Sequence, residues 1–135
     1  MDKDLKQEAL KDFAQKTELE RTLAVSLQGP PELKLEEKRL FLGEFRERVL
    51  VALTKAQVMS NTVYQEIEEA LQDKRSAKML IHGELAYKYR EKYQRMATET
   101  GKSFTVVHDP DLQGDIGLAV ASDDAVEQPD IFVPD

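Results

Sequence analysis

The sequence predicts an α+β fold, one small mixed sheet with helices packed on it, in the order β-α-β-α-β-β behind a helical N-terminal extension. Three observations carry that expectation. Val49-Leu50-Val51-Ala52-Leu53 and Met79-Leu80-Ile81 are unbroken apolar runs that offer water no polar residue on either side, as strands covered on both faces require. Two segments, about 62–73 and 84–100, place apolar residues at helical spacing. A turn-rich stretch from Asp109 through Pro110 and Gly114 to Asp115 separates two further strand-like runs.

The elements follow in order. Leu5, Ala9, Leu10, Phe13 and Ala14 form one apolar stripe, and Thr17-Glu18-Leu19-Glu20 is a capping-box pattern, so a break is expected near Lys16. The second helix should end at Gln28, because Gly29 suits a left-handed cap and Pro30-Pro31 cannot continue a helix. This extension, residues 1–28, is expected to cover the sheet or to mediate a homodimer. Glu32 to Leu42 reads as a short helical turn closed by Gly43, and a strand follows over about 46–54. Ser60-Asn61-Thr62 offers N-caps, with Gln65 completing a capping box from Thr62. The helix it opens presents Val63, Tyr64, Ile67, Ala70 and Leu71 on one face and Glu66, Glu68 and Glu69 on the other, and ends at Lys74 and Arg75, where positive charge suits the helix dipole. A strand over 78–82 ends at His82-Gly83. The next helix turns Leu85, Ala86, Tyr89, Tyr93, Met96 and Ala97 inward and stops at Gly101. Strands over 103–108 and 116–121 complete the core, and these two are expected to pair as a hairpin across the 109–115 loop. Ser122 should cap a helical turn through Val126, and Ile131-Phe132-Val133 should tuck against the body. Residues 1–135 thus read as one domain: an extension over 1–28, a core over 40–122 and an acidic tail over 123–135.

At 135 residues the chain is one domain by length, and 41% hydrophobic with 33% charged residues describes a soluble globule. The absence of cysteine excludes disulfides, thiolate catalysis and sulfur-based zinc sites. No apolar run reaches membrane-spanning length and Met1-Asp2-Lys3-Asp4 begins no signal sequence, so a cytoplasmic protein is expected. The net charge of −7 disfavours nonspecific binding to polyanions. Its distribution is uneven: Lys74 to Arg95 holds seven cations against two anions, whereas Asp109 to Asp135 holds eight anions and no cation.

The run Phe41-Leu42-Gly43-Glu44-Phe45-Arg46-Glu47-Arg48-Val49, followed by Leu53-Thr54-Lys55-Ala56-Gln57-Val58, resembles the signature of the YueI-like family, small cytosolic proteins of Gram-positive bacteria with no assigned function. The resemblance implies a Bacillus chorismate mutase-like fold, a neighbour of the ribosomal L30e/L7Ae-like domains, with the same β-α-β-α-β-β order. Residues 54–58 occupy the strand-to-helix position of the L7Ae-like RNA-contact motif and lack its glycine. No motif for chorismate mutase chemistry is present.

Four groups are candidate sites. Arg46, Glu47 and Arg48 read either as an anion-recognition site, two guanidinium forks with an orienting carboxylate, or as a charged strand entrance. Strand alternation would place residues 46 and 48 on one face and 47 on the other. Lys88, Lys92 and Arg95, with Lys74, Arg75 and Lys78, read either as a phosphate-tracking surface or as a solvated face held by Glu84–Lys88 and Glu91–Arg95 pairs. His108-Asp109-Pro110-Asp111 has the donors of part of a metal site but no second histidine or glutamate to complete it, and reads better as a turn. His82 ends a strand where a base could sit, but no nucleophile pattern lies beside it, so it reads as structural. No metal or cofactor is expected. The reading is a non-catalytic cytosolic binding or regulatory module, with RNA binding on an L30e-like scaffold and a small enzyme with a site between subunits as alternatives.

Overall fold

The last strand in sequence occupies the interior of the sheet. In the computed structural model, which describes residues 31–135, strands β1 (Val49–Thr54), β2 (Ser76–His82), β3 (Ser103–Val107) and β4 (Ile116–Ser122) lie in the order β1-β4-β2-β3. β4 runs antiparallel to both its neighbours, and β2 and β3 are parallel. The helices are α1 (Pro31–Leu40), α2 (Lys55–Met59), α3 (Gln65–Gln72) and α4 (Tyr87–Glu99). The helices expected over residues 5–28, and the dimer contact assigned to them, lie outside the described residues.

Burial explains the strand order and corrects the expected hairpin. Every residue of β4, Ile116 to Ser122, is buried, so it must be covered on both faces and flanked on both edges. β3 keeps Ser103 and Thr105 exposed and takes the sheet margin. β3 and β4 therefore do not pair. Instead residues 108–115 carry the chain past the end of β2 to insert β4 between β1 and β2.

Two apolar layers flank the sheet. On one face Leu53, Met79, Ile81, Leu118 and Val120 pack with Ile67 and Leu71 of α3 and Tyr93 and Ala97 of α4. On the other, Val49, Ala52, Leu80 and Ala119 meet Phe41 and Leu42 beyond α1 and Ile131 of the C-terminal segment. Each fully buried side chain of this kind is worth roughly 1.5–3 kcal/mol relative to exposure.

Local structure departs from expectation at three points. Residues Arg46–Arg48 form a 3₁₀ turn rather than the start of the strand, which begins at Val49. The Ser60–Thr62 caps are not used: α3 starts at Gln65 after Tyr64, without a side-chain cap. The capping box lies at Thr54 instead, where the Gln57 amide donates to Thr54 Oγ1 (3.2 Å) and the Thr54 amide to Gln57 Oε1 (2.8 Å), opening α2. α1 ends at Leu40, before the expected Gly43: Gly43 N–H donates to the Lys38 carbonyl (2.7 Å) while Leu42 takes the left-handed conformation (φ 55°). A non-glycine there costs roughly 1–2 kcal/mol, offset by the Leu42 side chain, which is buried in the second layer.

The chain beyond β4 is stitched down. Ser122 Oγ accepts from Asp124 N–H in a turn, without the helical turn expected there. The segment 131–133 runs along β1: Ala52 N–H donates to Ile131 O (2.7 Å) and Val133 N–H to Ala52 O (3.4 Å). This covers the outer edge of β1, as the apolar residues Ile131 and Val133 required.

Candidate functional site

β1, β2 and β3 all run in one direction, so their carboxyl ends gather at one end of the sheet, the end where open α/β sheets take ligands. The residues delivered there are Thr54-Lys55, His82-Gly83-Glu84 and Val107-His108. The crossing of residues 108–115 roofs this end. Gly83 lies directly under the His108 imidazole, close enough that any side chain at 83 would strike it. A side chain at Gly117 would meet Lys55 Cα, so that glycine lets α2 start against β4, where Lys55 N–H donates to Asp115 O (2.9 Å).

His82 is only 4% exposed. Its Nδ1 accepts the Glu84 amide (3.1 Å), which leaves the proton of the neutral ring on Nε2. Nε2 makes no hydrogen bond among the described residues. Burial, and then the Lys55 charge, hold the imidazole below its usual pKa, against a smaller opposing pull from Glu84. Lys55, half-buried, reaches Glu84 Oε1 at 3.4 Å, and the Glu84 side chain is 74% exposed. The end therefore presents an N–H donor fixed in direction and an ammonium whose only ion-pair partner among the described residues is a mobile-length surface carboxylate.

The Arg46-Glu47-Arg48 turn is tied into the fold. Arg46 Nη2 donates to Gln128 O (2.8 Å) and Pro129 O (3.3 Å), and its amide donates to buried Glu37 (2.7 Å). The Glu47 carbonyl accepts the Val126 amide at 2.7 Å. Arg48 lies over the Phe45 ring, 5.3 Å from its centroid, with Nη1 3.9 Å from Glu44. Because the turn is 3₁₀, the strand alternation expected for these side chains does not apply. Glu44, buried, has Lys78 as its closer partner at 3.0 Å.

The basic residues are not a single open track. Lys92 donates to Ser60 O (2.6 Å), and burial lowers its pKa. Arg95 pairs with Glu91 (2.7 Å), as the i,i+4 spacing suggested. Lys88 lies over Tyr89 at 5.0 Å. Lys78 faces Glu44, and Lys74 and Arg75 lie at the far end of the sheet. There a shallow cleft of about 460 Å³ is bordered by Lys74, Arg75, Asp123 and Asp124. It carries both signs of charge, and Arg75 is already forked onto Asp73, holding that carboxyl at about 2. No group of three or more metal-ligating side chains forms among the described residues, and no helix there is long and apolar enough to cross a membrane.

Sequence reasoning had His82 and His108 in view but not Lys55 as a site residue, nor the crossing that roofs all three. The available signal was positional: a Lys or His immediately ends each of the three parallel strands.

The family described as "Protein of unknown function (DUF1694)" matches residues 16–132. The chain is 39% identical over 113 residues to the uncharacterized protein YueI of Bacillus subtilis (strain 168), covering 84% of this chain and 86% of that protein. It is similar in structure to the crystal structure of YueI from Bacillus subtilis, with a TM-score of 0.73 at 40% identity, covering 79% of this chain and 84% of the other.

Proposed function

The chain belongs to the DUF1694 family, and from that premise we propose that it is a non-catalytic cytosolic binding module for a small anion, a carboxylate or phosphate, seated at the carboxyl ends of the parallel strands. One observation carries the reading: buried His82 offers an Nε2–H with no partner among the described residues, close to the Lys55 charge. A neutral N–H donor and an ammonium in a partly dehydrated setting suit an oxyanion, since hydrogen bonds to charged acceptors are about twice as strong as neutral ones. Glu84 holds the place of the ligand on Lys55. An exposed pair of this kind is worth at most about 1 kcal/mol, so an incoming anion displaces it at little cost. The element order and mixed sheet support kinship with the chorismate mutase-like and L30e-like folds, but fold kinship carries no activity with it.

The test is titration of the full chain with phosphate and a panel of small carboxylates, following the His82 ring resonances by NMR. Binding should move them, Lys55→Met should weaken affinity about tenfold or more, and Glu84→Gln should strengthen it by removing the internal competitor. If no anion moves the His82 signals, or if Glu84→Gln weakens binding, the reading is wrong. Consumption of the ligand would move the protein to the enzyme alternative.

A further inference from the structure

The two margins of the sheet are treated differently. The outer edge of β1 is covered by residues 131–133. The outer edge of β3 is not covered by any described element. Its geometry is readable from one bond: the Gly83 amide donates to the Val107 carbonyl (2.9 Å), so the backbone groups of Val107, and by alternation of Thr105 and Ser103, face β2. The N–H and C=O of Phe104 and Val106 therefore point outwards, and neither residue has a hydrogen bond outside the ladder. The strand has none of the usual protections of a free edge. Ser103-Phe104-Thr105-Val106-Val107 contains no Lys and no Pro, and its register with β2 runs without a bulge.

We infer that this edge pairs with the same edge of a second copy of the chain, antiparallel and isologous, with the twofold axis at Thr105. In that register Phe104 faces Val106 of the partner subunit, and Val106 faces Phe104 of the partner subunit. Each of these pairs exchanges two hydrogen bonds, which satisfies all four outward groups of each strand. Two further features select a second copy as the occupant. Phe104 and Val106 are only half-buried, on the face shared with α4, and the pairing sets an aromatic beside a β-branched side chain twice over. The strand itself is uncharged, with Lys102 before it and Asp109 and Asp111 after it, so antiparallel pairing brings the basic start of one strand towards the acidic end of the other. A parallel arrangement would set like beside like. The result is one continuous eight-stranded sheet, each half contributing the four strands described here.

The test uses the full chain and reads both mass and geometry. Sedimentation equilibrium should give a dimer. Thr105→Lys sets two ammonium groups opposite each other at the axis, on an exposed position, and should yield a folded monomer with unchanged circular dichroism and a melting temperature that no longer depends on protein concentration. Val106→Pro removes an outward N–H that β2 does not use, and should likewise split the dimer. The chain has no cysteine, so Thr105→Cys introduces its sole thiol. At a non-hydrogen-bonded antiparallel pair the Cα atoms are about 4.5 Å apart, within disulfide range. Mild oxidation should link Thr105→Cys into a covalent dimer and leave Ser103→Cys unlinked. A monomeric parent chain whose Thr105→Cys variant does not link overturns the inference, and is the result expected if residues 1–30 occupy this edge. A dimer that survives Thr105→Lys, or links better through Ser103→Cys, overturns it too.

Discussion

At Glu44 a buried carboxylate meets Lys78 at 3.0 Å, the Phe45 amide at 2.9 Å and Arg48 at 3.9 Å. The distances rank the partners: Lys78 and the amide are bonded, whereas Arg48 contributes mainly by lying over Phe45. Glu44→Ala strands the amide and half-buried Lys78, and should cost about 1–3 kcal/mol in urea unfolding. Arg48→Met keeps the apolar stem and loses a long ion pair and the guanidinium's place over Phe45, so it should cost about 1 kcal/mol or less. Equal losses from the two substitutions would reverse this ranking. His82 sets a pH dependence. Its folded pKa lies below the ordinary 6.5, so under mildly acidic conditions the unfolded chain binds a proton that the folded chain does not. Stability is therefore fully present above about 6.5 and falls as pH drops from there towards the folded pKa. Melting temperatures between pH 7 and 5 should decline, and His82→Gln should flatten the decline. Asp73, held at about 2 against an ordinary 3.8, acts only further down: its contribution is present above 3.8 and lost as pH falls through 2.

At the scale of elements, the C-terminal segment behaves as a fifth, minimal strand that contributes Ile131 to the second apolar layer and Val133 to the first. Gln57 joins it to α2. Its Oε1 caps the helix while its Nε2 donates to Val133 O (2.7 Å) and Asp135 Oδ1 (2.8 Å). Removing residues 128–135 should uncover Ala52 and the edge of β1 and delete Ile131, which is 1% exposed. Loss of one such buried side chain alone costs about 2–5 kcal/mol, and the freed edge invites aggregation. Size-exclusion chromatography with thermal unfolding checks this; a truncated chain as stable and monodisperse as the parent would remove the segment from the core. Gln57→Ala should cost about 1–2 kcal/mol in the intact chain and less in the truncated one, because part of its role is the tail contact.

For the whole molecule, the cations of the basic middle are mostly engaged by internal contacts, made with groups other than the acidic end. Lys92, Arg95 and Lys78 are each engaged by a carbonyl or carboxylate of this chain, within a net charge of −7. Nucleic-acid binding at physiological salt should accordingly be no tighter than the nonspecific range, and reversing Lys88, Lys92 and Arg95 should change little. A tight complex whose affinity falls steeply with added salt, and is abolished by those reversals, would restore the RNA reading.

What the sequence determined by itself was the four strands and the buried faces of α3 and α4; α2, opened by the capping box at Thr54, it did not show. Val49–Leu53 and Met79–Ile81 are apolar on both sides and had to be strands covered on both faces, and the periodicity at Ile67, Leu71, Tyr93 and Ala97 named the buried faces of α3 and α4. Arrangement was decided only in three dimensions. Pattern cannot say which strand lies beside which, because pairing is made through backbone groups that every residue shares. The hairpin expected from adjacency gave way to the insertion of β4, the strand buried at every residue. The site has the same origin. Lys55, His82 and His108 stand far apart in sequence, and nothing in the pattern of residues relates the one strand end to the others. Parallel strand direction and the 108–115 crossing bring them to one end of the sheet, where the burial of His82 leaves a single ring nitrogen with its proton and no partner among the described residues.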